Sequence, residues 1–330
     1  MSITKRIDNI TRIPSDYLSE TPPAPPSVKI ELTARCDFQC FFCASGFKLR
    51  RKQDMDFNFF MRIVKQMREA GVEELGLFYL GESFLYTQLA EAIAYAKKEV
   101  GFPYLFLTTN GRMALPGKVK ACMAAGLDSL KFSYNFGDIE QCKEVTGVDA
   151  FDSIVSNILE ARRVRDEVEA ETGHRCGLYA SSILYDGAQL EKMKEAVALI
   201  EDAVDEHYWL PLYGQAGLTA GARGTTPVAG NIGRAANARD PLPCWAVFTE
   251  GHITFDGKLS ACCFDHDGRF DMGDLNEMSF TEAWHSEPFK ALRRANIDEN
   301  VTGTACEQCI AYQDLAPDTP KPVNLSPSRS

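Results

Sequence analysis

Positive charge is in short supply. The 330-residue chain sets 35 Lys and Arg against 46 Asp and Glu, a net charge of −11. A field of that sign repels phosphate backbones and anionic headgroups, which argues against nucleic acid or a membrane surface as partner. No apolar run is long enough to cross a bilayer. The start, Met1-Ser-Ile-Thr-Lys-Arg-Ile-Asp8, has no apolar stretch behind its charges, so no export signal is read and a cytoplasmic protein is expected. An even cysteine count is lacking too: there are eleven. An odd number in a large chain without an export signal argues against a disulfide scaffold and makes clustered thiols metal ligands. What is present is average for a globular protein, 45% hydrophobic and 25% charged. The length allows one large core and a small appendage.

Residues 1–27 end in Thr21-Pro-Pro-Ala-Pro-Pro-Ser27 and read as an extended N-terminal arm. From Val28 onward, short runs rich in β-branched and aromatic residues alternate with segments of helical period. Strands are expected at 28–33, 73–80, 103–108, 127–134, 176–184 and 205–212, and helices at about 57–70, 87–100, 115–125, 149–171 and 188–202. In the first of these helices Phe57, Phe60, Ile63, Val64 and Met67 form one stripe, and Asp56 can cap its start. Such alternation implies an α/β fold with a parallel sheet, since parallel neighbours need crossovers. Six units are too few for a closed eight-unit barrel, so a partial (β/α)6 barrel over 28–213 is expected, with a doubly wound open sheet as the alternative. Either places chemistry at the carboxyl ends of the strands. A glycine-rich linker follows at 214–240, then a small C-terminal α+β domain at 241–315. The tail 316–330, rich in proline and serine, reads as disordered.

The first strand runs into Cys36-Asp-Phe-Gln-Cys40-Phe-Phe-Cys43. Three thiolates within eight residues can wrap one metal centre without long-range assembly, and thiolate is the ligand iron–sulfur clusters need. Three ligands on a four-iron cube leave one iron free, which is a catalytic rather than a structural arrangement. The bland alternatives are part of a zinc site or a chance gathering of buried thiols. This C-x3-C-x2-C spacing at the end of a first strand, with Phe42 before the last cysteine, resembles the radical S-adenosylmethionine (SAM) superfamily. The resemblance implies a SAM-cleaving [4Fe–4S] cluster on Cys36, Cys40 and Cys43. It also implies reductive cleavage of SAM to methionine and a 5′-deoxyadenosyl radical, with an electron donor such as flavodoxin or ferredoxin.

On their own the other strand ends are ordinary. Gly81-Glu82 is a turn and a solvated carboxylate, and Asn110-Gly111 is a turn signal. Beside the resemblance, Gly81 and Glu82 look like the family's glycine-glutamate motif for the amino group of SAM, although Leu80 and Ser83 stand where a second glycine and a proline are usual. Ser133, at the fourth strand end, is the candidate for the SAM carboxylate. Ser182 shares strand parity with Leu178 and Ala180 and is the candidate for the ribose.

The C-terminal segment offers Cys244, then Asp256-Gly257-Lys-Leu-Ser-Ala-Cys262-Cys263, and finally Cys306-Glu-Gln-Cys309. Two separated cysteines and a C-x2-C pair suffice for tetrahedral zinc or a fully ligated four-iron cluster, and composition does not choose between them. The further order Gly273-Asp-Leu, Trp284 and the late C-x2-C resembles the SPASM or twitch extension of radical SAM enzymes; the shorter twitch form fits, because no cysteine follows Cys309. That resemblance implies an auxiliary [4Fe–4S] cluster on Cys244, Cys262, Cys306 and Cys309. Cys263 is either a hydrogen-atom donor to a substrate radical or a packed thiol. Cys122, Cys142 and Cys176 lack partner spacing and read as core.

Family members of this kind, similar to 2-deoxy-scyllo-inosamine dehydrogenase or aminoglycoside epimerases, imply oxidation or epimerisation of a small polar molecule such as a carbohydrate or cyclitol. Modification of a ribosomal peptide is the rival within the superfamily, and a non-catalytic iron–sulfur carrier or zinc module the rival outside it. Arg223, Arg234 and Arg239 could bind substrate, and His252, Asp265 or His266 could move protons.

Overall fold

A computed structural model of the chain describes residues 2–43, 50–185, 187–210, 212, 231–232, 238–239, 242–265, 270–307 and 309. The expected linker 214–240, apart from those two short pieces, lies outside the described residues, as do the tail 316–330 and Arg223, Arg234 and His266.

The chain does not begin as an extended arm. Ile3–Ile10 is a helix, α1, capped by the Ser2 hydroxyl; only the proline-rich stretch after it is irregular. Next come β1 (Ser27–Ile30), α2 (Phe57–Ala70), β2 (Glu74–Gly76), α3 (Leu89–Ala94), β3 (Tyr104–Thr109), α4 (Pro116–Ala125) and β4 (Ser129–Ser133). They are followed by α5 (Ile139–Thr146), α6 (Phe151–Thr172), β5 (Gly177–Ile183), α7 (Gly187–Ala198) and β6 (Glu206–Leu210). The Asp56 carboxylate does cap α2, accepting from Phe59 N at 2.8 Å. At the other end Gly71 takes φ 107°, a left-handed stop that only glycine makes cheaply.

β1 to β6 lie side by side in chain order, every pair parallel. A doubly wound sheet would reverse direction about its first strand. An unreversed order with right-handed crossovers keeps all the helices on one face and curls the sheet into a partial barrel. Outward residues such as Val28, Leu75, Leu105, Leu130, Phe132 and Leu178 are at most 1% exposed and pack under the helices. Each such side chain contributes roughly 1.5–3 kcal/mol of burial. The opposite parity faces the lumen: Lys29, Phe106, Lys131 and Tyr208 line a cavity there of about 160 Å³. α1 closes its base, with Arg6 ion-paired to Glu74 at 2.6 Å and stacked over Tyr104 at 3.3 Å.

Past the short antiparallel pair β7 (Asn231–Ile232) and β8 (Ala238–Arg239), the chain forms β9 (Glu250–Ile253), β10 (Lys258–Ser260), β11 (Asp271–Asp274), α8 (Phe280–Trp284) and α9 (Glu287–Ile297). This is the expected C-terminal α+β segment, and its strands join the barrel sheet directly. β9 pairs in parallel with β1, Ser27 opposite Glu250 through Ile30 opposite Ile253, and β10 and β11 add antiparallel, so one nine-stranded sheet runs β11-β10-β9-β1 through β6. No helix among the described residues is long and apolar enough to cross a membrane.

Candidate active site

The cysteine segment leaves the carboxyl end of β1 and is pinched at its base. Thr33 bridges Asp54, and Arg35 grips the same carboxylate through Nε and Nη2 at 2.8 and 2.7 Å while Nη2 also reaches Leu85 O. Its far side leans on α5, where Thr146 O accepts from Gln39 N and Val145 O from Phe41 N. Cys43 N turns back onto Cys40 O at 3.0 Å, and Phe42 packs edge-on against Phe41. None of the three cysteines is in a disulfide; all are partly buried and electrostatic neighbours of one another. Burial pushes Cys36 up to about 12, and Glu82, Cys43 and Asp37 add to the shift.

The Gly81-Glu82 segment passes directly behind this loop. A Cβ on Gly81 would lie 2.0 Å from Thr33 O and 2.8 Å from Arg35 O, so the close approach of two backbones demands glycine. Glu82 N donates to Arg35 O at 2.8 Å. Its carboxylate is 2% exposed and accepts from the Thr109 hydroxyl at 2.7 Å, Asn110 N at 2.7 Å and Phe84 N at 3.1 Å. Burial outweighs these bonds and raises it to about 7. Asp37, between the first two cysteines, accepts from Asn110 Nδ2 at 2.7 Å and Arg112 Nη1 at 3.3 Å. The ends of β1, β2 and β3 are thus stitched into one polar mouth. Asp37, Thr109 and Asn110 are absent from the expected ligand set. Their signal was the position of each beside a motif at a strand's carboxyl end.

Ser133 is partly exposed on the lumenal parity of β4, shared with Ser129 and Lys131, both of which line the cavity. Ser182 does not join it. The register sets Ser133 opposite Ser181, which in turn faces Tyr208, a lumenal residue. Ser182 stands on the other face with Leu178 and Ala180, fully buried, its hydroxyl 2.5 Å from Tyr134 O and 2.9 Å from His207 Nε2. The assignment to the ribose is corrected accordingly: the parity that points inward is that of Ser181.

The second thiol set assembles where the added strands meet the barrel. Cys244, at the start of a short turn, donates its backbone N–H to Asn296 Oδ1 at 3.1 Å, and Asn296 Nδ2 reaches Cys306 Sγ at 3.9 Å, so one fully buried amide on α9 ties two of the thiols. Cys309 N turns onto Cys306 O. Cys306, Cys309 and Cys263 all act electrostatically on Cys244, which burial pushes up to about 12. A side-chain contact with Cys263 and then burial raise Cys262. Cys263 therefore lies within the thiol group, not apart from it. Cys122, Cys142 and Cys176 are buried in the core. Beside this second set stands Tyr79, whose hydroxyl donates toward Cys262 O at 2.9 Å with Asp265 O at 3.2 Å.

Residues 30–169 match the family model "Radical SAM superfamily" and residues 244–310 the model "Iron-sulfur cluster-binding domain" (SPASM). The chain therefore carries a radical SAM domain over residues 30–169 and a SPASM-type iron–sulfur domain over residues 244–310. Among curated relatives it is similar to a probable GTP 3′,8-cyclase of Saccharolobus solfataricus, 32% identical over 141 residues, 41% of this chain and 42% of that protein. The chain spans about two fifths of the length of the first curated relatives it matches. A probable GTP 3′,8-cyclase of Metallosphaera sedula is 26% identical over 279 residues, 74% of this chain and 83% of that one. Two solved structures share the fold. They are BtrN in complex with AdoMet and 2-DOIA (TM-score 0.57, 13% identity, 87% and 92% of the two chains) and Streptococcus suis SuiB bound to precursor peptide SuiA (TM-score 0.65, 15% identity, 88% and 71%).

These two domains imply SAM, a SAM-cleaving [4Fe–4S] cluster and auxiliary iron–sulfur binding. The donor sets fit. Each is built of cysteines outside any disulfide that perturb one another, and the first stands beside a buried carboxylate suited to a cationic amino group. Among the described residues no group of three His, Cys, Asp or Glu side chains is drawn together tightly enough to hold a metal ion as it stands.

Proposed function

We propose that this enzyme abstracts a hydrogen atom from a small polar molecule held in the barrel lumen, leading to its oxidation or epimerisation. The observation that carries the reading is the polar mouth at the carboxyl ends of β1 to β3, where the buried Glu82 carboxylate, with Asp37, Thr109 and Asn110, stands beside the cysteine loop. The cavity of about 160 Å³ lies deeper, toward the amino ends of the strands under α1, and its Glu250 and Glu74 are already paired with Lys29 and Arg6.

In this reading Cys36, Cys40 and Cys43 hold the SAM-cleaving cluster. Gly81 gives the backbone room to bring Glu82 under the SAM amino group, and Ser133 meets the SAM carboxylate. When bound, SAM and its cluster supply a 5′-deoxyadenosyl radical. Glu82, ionised against the cationic amino group, orients the cofactor, while the Asp37–Asn110–Arg112 contacts hold the mouth's shape. Cys244, Cys262, Cys306 and Cys309 hold the auxiliary cluster, an electron acceptor or a structural anchor. Cys263 packs beside them and is the candidate hydrogen-atom donor. The domain limits 28–213 and 241–315 belong to the same proposal.

A purine nucleotide is the second reading, favoured by the sequence similarity to probable GTP 3′,8-cyclases. Anaerobic, reconstituted protein with dithionite and SAM is expected to release 5′-deoxyadenosine. Deuterated cyclitols and amino sugars, run beside deuterated GTP, then report the substrate through label carried into 5′-deoxyadenosine. Transfer from GTP alone would replace the first reading with the second, and absence of any 5′-deoxyadenosine would sink both.

A further inference from the structure

We propose that Tyr79 is a positioning residue for the auxiliary thiol site, its phenol holding the Cys262 to Asp265 turn against the strand end that carries Gly81 and Glu82. The inference rests on the assignment of Cys262 to that site.

Tyr79 lies two residues before Gly81 and far from the cysteines in sequence, yet its single hydroxyl proton is shared between Cys262 O at 2.9 Å and Asp265 O at 3.2 Å. The turn has bonds of its own. Asp265 N donates to Cys262 O, Ala261 N to Asp265 Oδ2, and Phe264 N to Cys262 Sγ at 3.4 Å. These fix its shape, and the phenol attaches it to the segment that leads from β2 to Gly81. The ring in turn is held in place. It sits 5.1 Å from the ring of His252, which is fully buried and 3.1 Å from Glu250; Glu250 is 2.6 Å from Lys29 Nζ. A phenylalanine would keep the ring packing and remove only the donor, leaving two buried carbonyls without it.

The electrostatic consequence has a sign. The O–H dipole directs its positive end at the carbonyl of a proposed cluster ligand, and positive potential there favours the more negative, reduced state of a thiolate-held centre. Removing the donor lowers the auxiliary midpoint potential; strengthening it raises the potential.

The test uses the full-length reconstituted protein in a redox titration followed by electron paramagnetic resonance. Tyr79→Phe is expected to lower the auxiliary midpoint while the SAM-cleaving signal stays put, and 3,5-difluorotyrosine at position 79, a stronger donor, to raise it. In metal-free protein, mass spectrometry should find Cys262 and Cys263 alkylated by iodoacetamide several-fold faster in Tyr79→Phe. The fluorinated form keeps the hydroxyl and the fold, so it reads the donor strength even where the phenylalanine form folds poorly. Two clusters by iron and sulfide analysis with one unmoved auxiliary midpoint across all three side chains would overturn the role of Tyr79 alone. Iron and sulfide for a single cluster would sink the auxiliary assignment and this inference together.

Discussion

Glu82 is where burial and charge oppose each other most sharply in the mouth. Its carboxyl is raised from 4.5 to about 7, first by desolvation, against three hydrogen bonds that favour the ion. In cofactor-free protein the folded group therefore keeps its proton to higher pH than the unfolded one. The stability it contributes is present below pH 4.5 and lost as pH rises to about 7, a change of about 3 kcal/mol at roughly 1.4 per unit. Glu82→Gln should flatten that part of the melting-temperature profile between about pH 4.5 and 7, and should weaken SAM binding about 10- to 100-fold in calorimetry, the worth of one charged hydrogen bond. A mutant profile parallel to wild type, or unchanged affinity, would remove Glu82 from the role. At this scale the sequence was partly legible. Cys36, Cys40 and Cys43 stand out by spacing because three thiols in one short loop form a local pattern, whereas Gly81-Glu82 was singled out only through the family resemblance. Ser182 was misread because a strand with Leu178, Ala180, Ser181 and Ser182 all buried gives no alternation from which to tell lumen from outer wall; only the pairing to β4 and β6 decides it.

Among the elements, α1 matters beyond its eight residues because it seals the lumen. Ile3 N donates to Glu206 Oε2 at 2.8 Å, the Thr4 hydroxyl to Oε1 of the same side chain, and Thr249 Oγ1 to Ile10 O. Arg6 is its keystone, paired with Glu74, whose carboxyl burial raises and Arg6 pulls back. Arg6→Ala strands that carboxylate and removes the stacking on Tyr104. With both side chains still partly solvated, the expected loss is about 1–3 kcal/mol. Glu74→Gln in the same background should recover part of it, a coupling that urea denaturation of the double-mutant cycle measures. Strictly additive losses would mean the pair contributes nothing. The sequence revealed α2 at its observed limits, since a long stripe and an Asp cap agree. It missed α1, whose Ser2 cap and Ile3, Ile7, Ile10 spacing were overshadowed by the prolines that follow, and α5, which is short. β9, β10 and β11 have three or four residues each, too few to show a period.

For the whole molecule, the decisive feature is that the auxiliary segment completes the barrel's sheet. β1 has β2 on one side and β9 on the other. Across the same seam the fully buried Glu31 accepts from both Arg50 guanidinium nitrogens and from Phe255 N, Arg62 donates to Leu275 O, Gln66 accepts from Phe280 N, and the Trp284 indole donates to Pro23 O. Arg293, buried between Trp284 and Phe289, reaches back to Glu20 O. Cutting the chain after residue 213 would bare the β1 edge, strip Glu31 of one donor and uncover Trp284's packing surface on the N-terminal stretch, each an expense of one or more kcal/mol in a fold whose total margin is about 5–15 kcal/mol. The expected outcome is one calorimetric unfolding transition for the intact chain and no cooperative transition for the 1–213 fragment. Two separated transitions in the intact chain, or a fragment that melts sharply and still binds SAM, would show that the barrel stands without its ninth-strand extension. A single transition would place Cys262 and Glu82 in one cooperative unit, held across the seam where β9 pairs with β1.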